Sequence, residues 1–356
     1  MKSYGLAGRV VMRNSECGVR NRPRGVPGAI HSAFRIPHSA FSIFAPMLSV
    51  TFLGTSAARP TVERNVSALA LEREGETLLF DCGEGTQRQM MRYGVSFALT
   101  EIFFTHFHAD HLLGIVGLVR TLGLQGRAEP LRLYGPRGAK RVLTSAISLG
   151  SDRVPFGVEI VEVEPGEVPG VGGQGSGRDG YKLIAFPTDH GPNAIGYALV
   201  EDERPGRFDP EKAKAAGVPE GPLWGKLQRG ETVMVDGREI PAAGIVGERR
   251  RGRKVVLTGD TRPCAATVEA ASGADLLVHE ATFGEDEVER AKETNHSTAR
   301  EAAQVALAAR VRKLVLTHLS ARYSISAEEL VKEAKEVFPE TVVARDGLTV
   351  EVPYSE

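Results

Sequence analysis

The sequence predicts an α/β fold in which two β-sheets carry helices on their outer faces. Two observations predict it: a run of short β-rich segments follows Met47, and strand and helix patterns alternate later in the chain. Sheets and amphipathic helices bury their apolar sides by packing against one another in layers. The chain has 356 residues, of which 42% are hydrophobic and 25% charged, so it can build one large core or two smaller ones.

Strands dominate the first half of the predicted domain. The segments LSVTFLG, VSALALE, ETLLFD and EIFFT have the β-branched and aromatic composition of strands. A helix is predicted from about Asp110 to Leu122, followed by the strand LRLYG, a helix after Pro136 and the alternating strand VEIVEVEPGE. The segment VPGVGGQGSGRDG is predicted to be a connector, because it lacks the glycine spacing of a phosphate-binding loop.

The second half has a more regular alternation of strands and helices. The strand candidates are YKLIAF, YALV, KVVLT, DLLVHEA and KLVLTH. Two helices are predicted from capping boxes, in which a Ser or Thr precedes a Glu by three positions. One box runs from Thr298 to Glu301 and the other from Ser326 to Glu329.

Two segments differ from this pattern. Residues 1–46 contain seven Lys and Arg against one Glu, and they hold the near-repeat HSAFRIP and HSAFSIF. A transit peptide is one interpretation; a disordered tail or a start codon placed upstream of Met47 is the other. We therefore assign the main folded domain to residues 47–356 and exclude His31 and His38 from the candidate functional residues.

The second segment, residues 202–254, is dense in Pro, Gly, Lys and Arg and poor in core residues. It is predicted to be an insertion that leaves the core, with a short helix near residues 210–216. We call this segment the arm.

Charge and cysteine content limit the function classes. The formal net charge is −1, so any nucleic-acid binding must come from local basic patches. The three cysteines form no CxxC pair, which favours a reduced, cytoplasmic compartment. No apolar run approaches the roughly 20 residues that span a bilayer, so no membrane association is expected.

The stretch THFHADHLLG concentrates four potential metal ligands after a predicted strand. His106 and His108 are two apart, so an extended backbone directs them to the same side. Asp110 and His111 follow at the start of the next helix, where an Asp suits the N-cap. Imidazole and carboxylate together suit zinc or another divalent first-row metal. The alternative is a metal-free cluster held by hydrogen bonds.

Three later strands end in further candidates: LIAFPTDHG ends at His190, KVVLTGDT at Asp260 and KLVLTHLS at His318. Residues at the carboxyl ends of strands converge on one rim of an α/β sheet. These three therefore extend the predicted site, which has enough ligands for two metals.

The motif HFHADH, together with His190, Asp260 and His318, resembles the ligand set of the metallo-β-lactamase superfamily, whose fold is a four-layer αββα sandwich. Four further stretches resemble the ribonuclease Z family of tRNA 3′-processing endonucleases: FLGTSAARPTVERNVSA, LVHEATF, NHSTAREAA and THLSARY. The resemblance extends from about Met47 to Pro353.

This resemblance implies two zinc ions per subunit, although the sequence does not distinguish zinc from manganese or iron. His106, His108 and His190 would hold one ion, Asp110, His111 and His318 the other, and Asp260 would bridge them. A metal-bridging hydroxide would then attack the phosphodiester. The products would be a tRNA 3′-hydroxyl and a trailer with a 5′-phosphate.

The resemblance also implies that His296, supported by Glu280, donates a proton to the leaving oxygen. From the residues alone, His296 could be a capping residue and Glu280 a solvated charge. Asp110 would also orient the hydroxide, and His279 is interpreted as structural.

For RNA binding, the arm resembles the segment of ribonuclease Z that holds the tRNA elbow, with Lys226 and Arg229 as contacts. Arg64 and Asn65 lie in the loop expected near the cleavage site, and Arg322 lies in THLSARY. Val62 departs from the basic residue usual there, which bears on how a CCA sequence is treated. The apolar helix HLLGIVGLVRTL would form a homodimer interface.

Three alternatives stay open. The protein could be another hydrolase of the superfamily, such as a phosphodiesterase, arylsulfatase or thioesterase. It could be a metal-stabilised RNA-binding protein without activity, or a di-iron redox protein.

Overall fold

The computed structural model describes residues 48–150, 153–172 and 180–355, so the prediction for residues 1–46 lies outside the described chain. The strands, in chain order, are β1 Leu48–Gly54, β2 Ala68–Arg73, β3 Glu76–Phe80, β4 Glu101–Phe103, β5 Leu131–Gly135, β6 Val158–Glu162, β7 Gly166–Glu167, β8 Tyr181–Pro187, β9 Ile195–Glu201, β10 Val233–Val235, β11 Arg238–Ile240, β12 Lys254–Leu257, β13 Leu276–Glu280, β14 Leu314–Thr317, β15 Thr341–Val343 and β16 Thr349–Glu351.

The helices, in chain order, are α1 Thr86–Tyr93, α2 Ala109–Leu112, α3 Gly114–Leu124, α4 Ala139–Ile147, α5 Pro210–Ala215, α6 Pro222–Gln228, α7 Ala265–Ala271, α8 Val288–Glu293, α9 Ala299–Ala308 and α10 Glu328–Val337. No helix in the described residues is long and apolar enough to cross a lipid bilayer.

Two seven-stranded sheets form the centre of the domain. The first has the order β16-β1-β2-β3-β4-β5-β6, and the second has the order β15-β14-β13-β12-β9-β8-β7. In each sheet a parallel part joins an antiparallel part: β3 to β6 are parallel in the first, and β12 to β15 in the second. The parallel parts bring several strand ends to one rim.

The two sheets pack face to face through a shared apolar core. The ring centroid of Phe103 in the first sheet lies 5.6 Å from that of Tyr197 in the second sheet, and 4.9 Å from that of Tyr134 beside it in the first sheet. Two further cores lie on the outer faces, one beneath α1, α3 and α4 and the other beneath α7, α9 and α10. This helix–sheet–sheet–helix order confirms the predicted four-layer sandwich.

The predicted helix from Asp110 to Leu122 is wrong in one respect, because it consists of two helices, α2 and α3. The Gly114 N–H donates to the Cys82 carbonyl oxygen at 2.8 Å instead of to the preceding helical turn. A Cβ at Gly114 would lie 1.9 Å from the Gly83 oxygen, so only glycine permits this close approach. Asp110 lies in the first turn of α2, near the predicted start of the helix, but the N-cap is His108 and not Asp110.

Of the two predicted capping boxes, one forms. The Thr298 side chain accepts from the Glu301 N–H, and the Glu301 side chain accepts from the Thr298 N–H. The box at Ser326 is wrong, because α10 begins at Glu328 with Ala327 as its N-cap. Glu329 then occupies the second helical position, where it cannot complete the box.

The arm contains α5, α6 and the β10–β11 hairpin, and α5 lies where the short helix was predicted. The expectation that this segment is poor in core residues is wrong. It buries an apolar cluster of its own, comprising Ala213, Val218, Leu227, Val233, Ala242 and Ile245. The arm is therefore a small packed unit and not an extended loop.

Candidate metal centre and active site

Every predicted metal ligand lies at one rim of the sandwich. His106 follows β4, His190 follows β8, Asp260 follows β12 and His318 follows β14. The ligand atoms within each group that could hold an ion lie within 4.8 Å of one another. The parallel pairing of β12, β13 and β14 explains why Asp260 and His318 converge, because the carboxyl ends of parallel strands lie at the same edge of a sheet.

The first group consists of three imidazoles. His106 Nε2 lies 2.9 Å from His108 Nδ1, and His190 Nε2 lies 3.2 Å from the same His108 atom. Three nitrogens with lone pairs at these separations form a typical ligand set for a transition-metal ion.

The second group combines two imidazoles and a carboxylate. His111 Nε2 and His318 Nε2 are 3.2 Å apart, and His318 Nε2 lies 3.2 Å from Asp110 Oδ2. Asp110 Oδ2 also accepts from the Ala58 N–H at 2.7 Å, which fixes the carboxylate.

Asp260 lies between the two groups. Its Oδ2 is 3.5 Å from His106 Nε2 and 3.4 Å from His111 Nε2, and its Oδ1 is 3.4 Å from His318 Nε2. Asp260 is 2% exposed, yet its Oδ1 has no hydrogen-bond partner among the described residues. A buried carboxylate oxygen without a donor is costly, and a bound cation would satisfy it.

Oxygen partners fix the tautomers of His111 and His190. His111 Nδ1 lies 2.8 Å from Asp81 Oδ2, and His190 Nδ1 lies 2.7 Å from the Asn295 carbonyl oxygen. Because these oxygens can only accept, each Nδ1 carries the proton, and a neutral ring then presents the Nε2 lone pair to the centre.

His106 and His318 also carry their proton on Nδ1. Each Nδ1 lies 3.0 Å from a threonine hydroxyl, Thr105 for His106 and Thr282 for His318. Both hydroxyls have a carboxylate to which they donate, so they accept from the imidazoles. Four imidazoles are thus oriented as metal ligands by the protein itself.

Burial and neighbouring charges shift the pKa values of the predicted metal ligands in different directions. Burial, helped by His111, places the pKa of His106 well below its usual value. Burial opposes ionisation of Asp260, but His111, His318 and His106 outweigh it and hold its pKa well below the usual range. For His111, burial is outweighed by Asp260 and Asp81, and the pKa is raised. Metal binding requires ionised carboxylates and neutral imidazoles, so a cation bound here would displace the extra proton of His111.

Asp81 is a functional residue absent from the sequence prediction. It follows β3, as His106 follows β4, and its carboxylate accepts from the Thr105 N–H at 2.8 Å in addition to His111. The segment ETLLFD ends in this aspartate, so the strand-end pattern used for the other ligands would have found it.

Glu280 and His296 form a buried pair beside the metal centre. Glu280 ends β13 and is 1% exposed, and its carboxylate accepts from His296 Nδ1 at 2.7 Å and from the N–H groups of Thr261 and Thr282. Burial opposes protonation of the imidazole, but Glu280 outweighs it and raises the pKa of His296 to about 9. Glu280 is therefore not a solvated charge.

His296 is also not a capping residue, since Thr298 caps α9. Its ring centroid lies 4.7 Å from that of His190 and 5.3 Å from that of His318. Arg262 holds the loop in place by donating to the His296 carbonyl oxygen at 2.6 Å while it pairs with Glu301. The free edge of the imidazole is thus directed to the metal centre.

The structure does not support Arg64 and Asn65 as RNA contacts. Both are 8% exposed. The Arg64 guanidinium donates to the Ala344 and Ser324 carbonyl oxygens, and the Asn65 N–H donates to Asp346 at 2.6 Å. Their hydrogen bonds brace the loop from inside, and an RNA contact by either residue stays a prediction.

The remaining predicted RNA contacts are exposed. Arg322 lies in the wall of the cleft next to His296, where it pairs with Asp286 and Glu287. Lys226 and Arg229 lie on and just after α6 in the arm, and Arg229 pairs with Glu231 at 2.7 Å.

Fold and site together define a protein of the metallo-β-lactamase superfamily. Residues 226–319 match the beta-lactamase superfamily domain, and residues 48–152 match the family of the anti-Pycsar protein Apyc1. The crystal structure of the short form of human tRNase Z is 29% identical with a TM-score of 0.59, and the match covers 86% of this chain and 99% of that one. The Bacillus subtilis protein YhfI, a metallo-β-lactamase fold protein, has a TM-score of 0.60 at 19% identity.

Curated relatives narrow the assignment. The ribonuclease Z of Gemmatimonas aurantiaca is 59% identical over 311 residues, covering 87% of this chain and 97% of the relative. The ribonuclease Z of Myxococcus xanthus is 56% identical over 309 residues, covering 86% and 98%. The chain belongs to the ribonuclease Z family.

Proposed function

We propose that this protein is an endoribonuclease that removes the 3′ trailer from tRNA precursors. It would leave a tRNA 3′-hydroxyl and a trailer 5′-phosphate. The observation that carries the proposal is the pair of ligand groups joined by Asp260, next to the Glu280–His296 pair, in a chain of the ribonuclease Z family.

The residues fit two divalent cations. His106, His108 and His190 would hold one, Asp110, His111 and His318 the other, and Asp260 both. Five imidazoles and two carboxylates suit zinc, and manganese or iron(II) would also bind such a set. Bound cations would supply an activated water and neutralise charge on the phosphate oxygens.

His296 would supply the proton that the leaving oxygen needs. Glu280 holds the Nδ1 proton of His296, and the raised pKa keeps the other ring nitrogen protonated as well. A protonated Nε2 facing the centre can donate to the departing tRNA 3′-oxygen, which would otherwise leave as an unstable alkoxide. Asp110, fixed by the Ala58 N–H, would orient the attacking water.

The arm, residues 202–254, is proposed to bind tRNA away from the site of cleavage. Lys226 is exposed and has no ionic partner among the described residues, so it is available to a phosphate. Trp224 instead packs in the arm's own cluster and donates to the Val218 carbonyl oxygen at 3.1 Å. The arm would therefore contact the RNA backbone through charge and not through aromatic stacking.

A homodimer is proposed on the exposed apolar surface around α3. Leu124 is 90% exposed and Leu113 is 48% exposed, one at the end of the helix and one just before its start. A second copy would cover them. We propose a reduced, cytoplasmic compartment, in which Cys82 and Cys264 would keep their free thiols.

The test is to incubate the purified protein with a tRNA precursor that carries a 3′ trailer, and to map the ends of the products. We expect a cut after the discriminator base that disappears with a chelator and falls by more than about a hundredfold in His108→Ala. Asp189→Asn, an exposed neighbour of the ligand His190, is the matched control and should keep activity. Binding without cutting in the presence of metal would favour the non-catalytic alternative.

A further inference from the structure

Two depressions flank the metal centre. One is lined by His296, Arg59 and Arg322, and we call it the acid-side depression. The other is lined by His108, His190, Arg137 and Arg141, and we call it the ligand-side depression. An RNA strand that crosses the centre must occupy both, so the question is which part of the strand lies on each side.

Arg137 and Arg141 are the cations of the ligand-side depression. They are exposed, lie one helical turn apart around the start of α4, and have no ionic partner among the described residues. Glu162 Oε1 accepts from the N–H groups of Gly138 and Lys140, at 3.0 and 3.2 Å. The amides at the start of the helix are thus occupied, and the two guanidiniums are the free anion-binding groups.

The position of the proton donor sets the direction of the strand. In an in-line displacement the departing oxygen is opposite the attacking one, and its proton donor must lie on the departing side. For the products given above, the departing group is the tRNA 3′-oxygen. The mature tRNA therefore lies on the His296 side, and the trailer, which keeps the phosphate, extends into the ligand-side depression.

We infer that Arg137 and Arg141 bind backbone phosphates of the single-stranded 3′ trailer, an inference that depends on the proposed function. Arginine forms paired hydrogen bonds to phosphate, and a guanidinium on an exposed helix turn can do so without a base preference. The two residues would thus act as a sequence-independent binding site for trailers longer than a nucleotide or two.

The experiment compares precursors with a single-nucleotide trailer and with trailers of about six nucleotides, for the wild type and for the double variant Arg137→Ala/Arg141→Ala. We expect the wild type to bind the longer trailer better. In the double variant KM for the long-trailer precursor should rise roughly three- to tenfold, while KM for the single-nucleotide precursor stays unchanged. The slope of log KM against log salt for the long trailer should fall by about 1.4, because two phosphate contacts are lost.

Two variants serve as controls. Lys140→Ala removes an exposed cation from the same helix, outside the depression, and should leave the trailer-length dependence intact. Arg59→Ala, on the acid side, should raise KM equally for both precursors.

Each other outcome decides a different point. An equal effect of the double variant on both trailers, or none on either, overturns the trailer site. A trailer-length effect in Arg59→Ala instead would reverse the direction of the strand. Failure of the wild type to cut any precursor would contradict the proposed function itself.

Discussion

At the scale of single residues, the metal centre depends on groups that never touch the metal. Each outer imidazole nitrogen of His106, His111, His190 and His318 is held by an oxygen, and Asp81 is the only carboxylate among these partners. Such partners fix ring orientation and raise the basicity of the inner nitrogen.

Asp81→Asn should weaken metal binding about 10- to 100-fold, because it removes the charge behind His111. Asparagine is the suitable replacement, since Asp81 has a φ of 56° and asparagine tolerates this left-handed conformation. The measurement is zinc affinity by competition with a chromophoric chelator. An affinity equal to that of the Asp189→Asn control would show that Asp81 serves folding alone.

The His296–Glu280 pair gives a pH prediction. Because Glu280 raises the pKa of His296 to about 9, the proton donor is loaded below that pH and lost as the pH rises through it. The single-turnover cleavage rate should therefore fall above about pH 9. In Glu280→Gln the supporting charge is gone, so the fall should move to lower pH. An unchanged alkaline limb in that variant would separate His296 from proton donation.

At the scale of elements, the strand-end pattern explains which parts of the site can be predicted from the sequence. His190, Asp260 and His318 each follow an apolar strand. Parallel pairing of β12, β13 and β14 delivers Asp260 and His318 to one rim, and β8, two antiparallel pairings away from β12, runs in the same direction and delivers His190 there. The motif alone cannot show that Arg64 faces inward, because its partners, such as the Ala344 carbonyl, come from distant parts of the chain. Nor does it show the division between α2 and α3, which depends on the Cys82 carbonyl reaching Gly114.

The arm is the element whose removal is most informative. Within the arm, the Gly247 N–H donates to the Arg207 carbonyl oxygen at 2.9 Å, so the chain enters and leaves the arm's own apolar cluster at one place. Replacing residues 208–246 with a short Gly-Ser linker keeps this contact and should therefore spare the sandwich. We expect weaker binding of tRNA precursors and unchanged hydrolysis of a small aryl phosphodiester. If both activities fall together, the arm supports the catalytic body instead of the RNA.

At the scale of the whole molecule, a buried ionic network connects both sheets with the root of the arm. Arg253 pairs with Glu201 at 2.7 Å, and Arg73 of β2 donates to the same carboxylate at 2.9 Å. The Tyr354 ring lies between the guanidiniums of Arg253 and Arg204, 3.9 and 3.3 Å from its centroid. Removing one partner would leave a buried charge uncompensated. The network therefore favours the one arrangement of the two sheets and the arm in which all these charges are paired.

The metal centre also joins distant parts of the chain, and this leads to a stability prediction. Its ligands come from four separate segments, residues 106–111, 190, 260 and 318, so a cation that binds them stabilises the folded state only. At a free concentration about a thousandfold above Kd, one bound cation contributes roughly 4 kcal/mol. Dialysis against a chelator should therefore lower the Tm by several degrees, and added zinc should restore it.

In the double variant His108→Ala/Asp110→Ala the same dialysis should change the Tm much less, as measured by differential scanning calorimetry. A chelator effect of equal size in this variant would place the stabilising cation elsewhere in the protein.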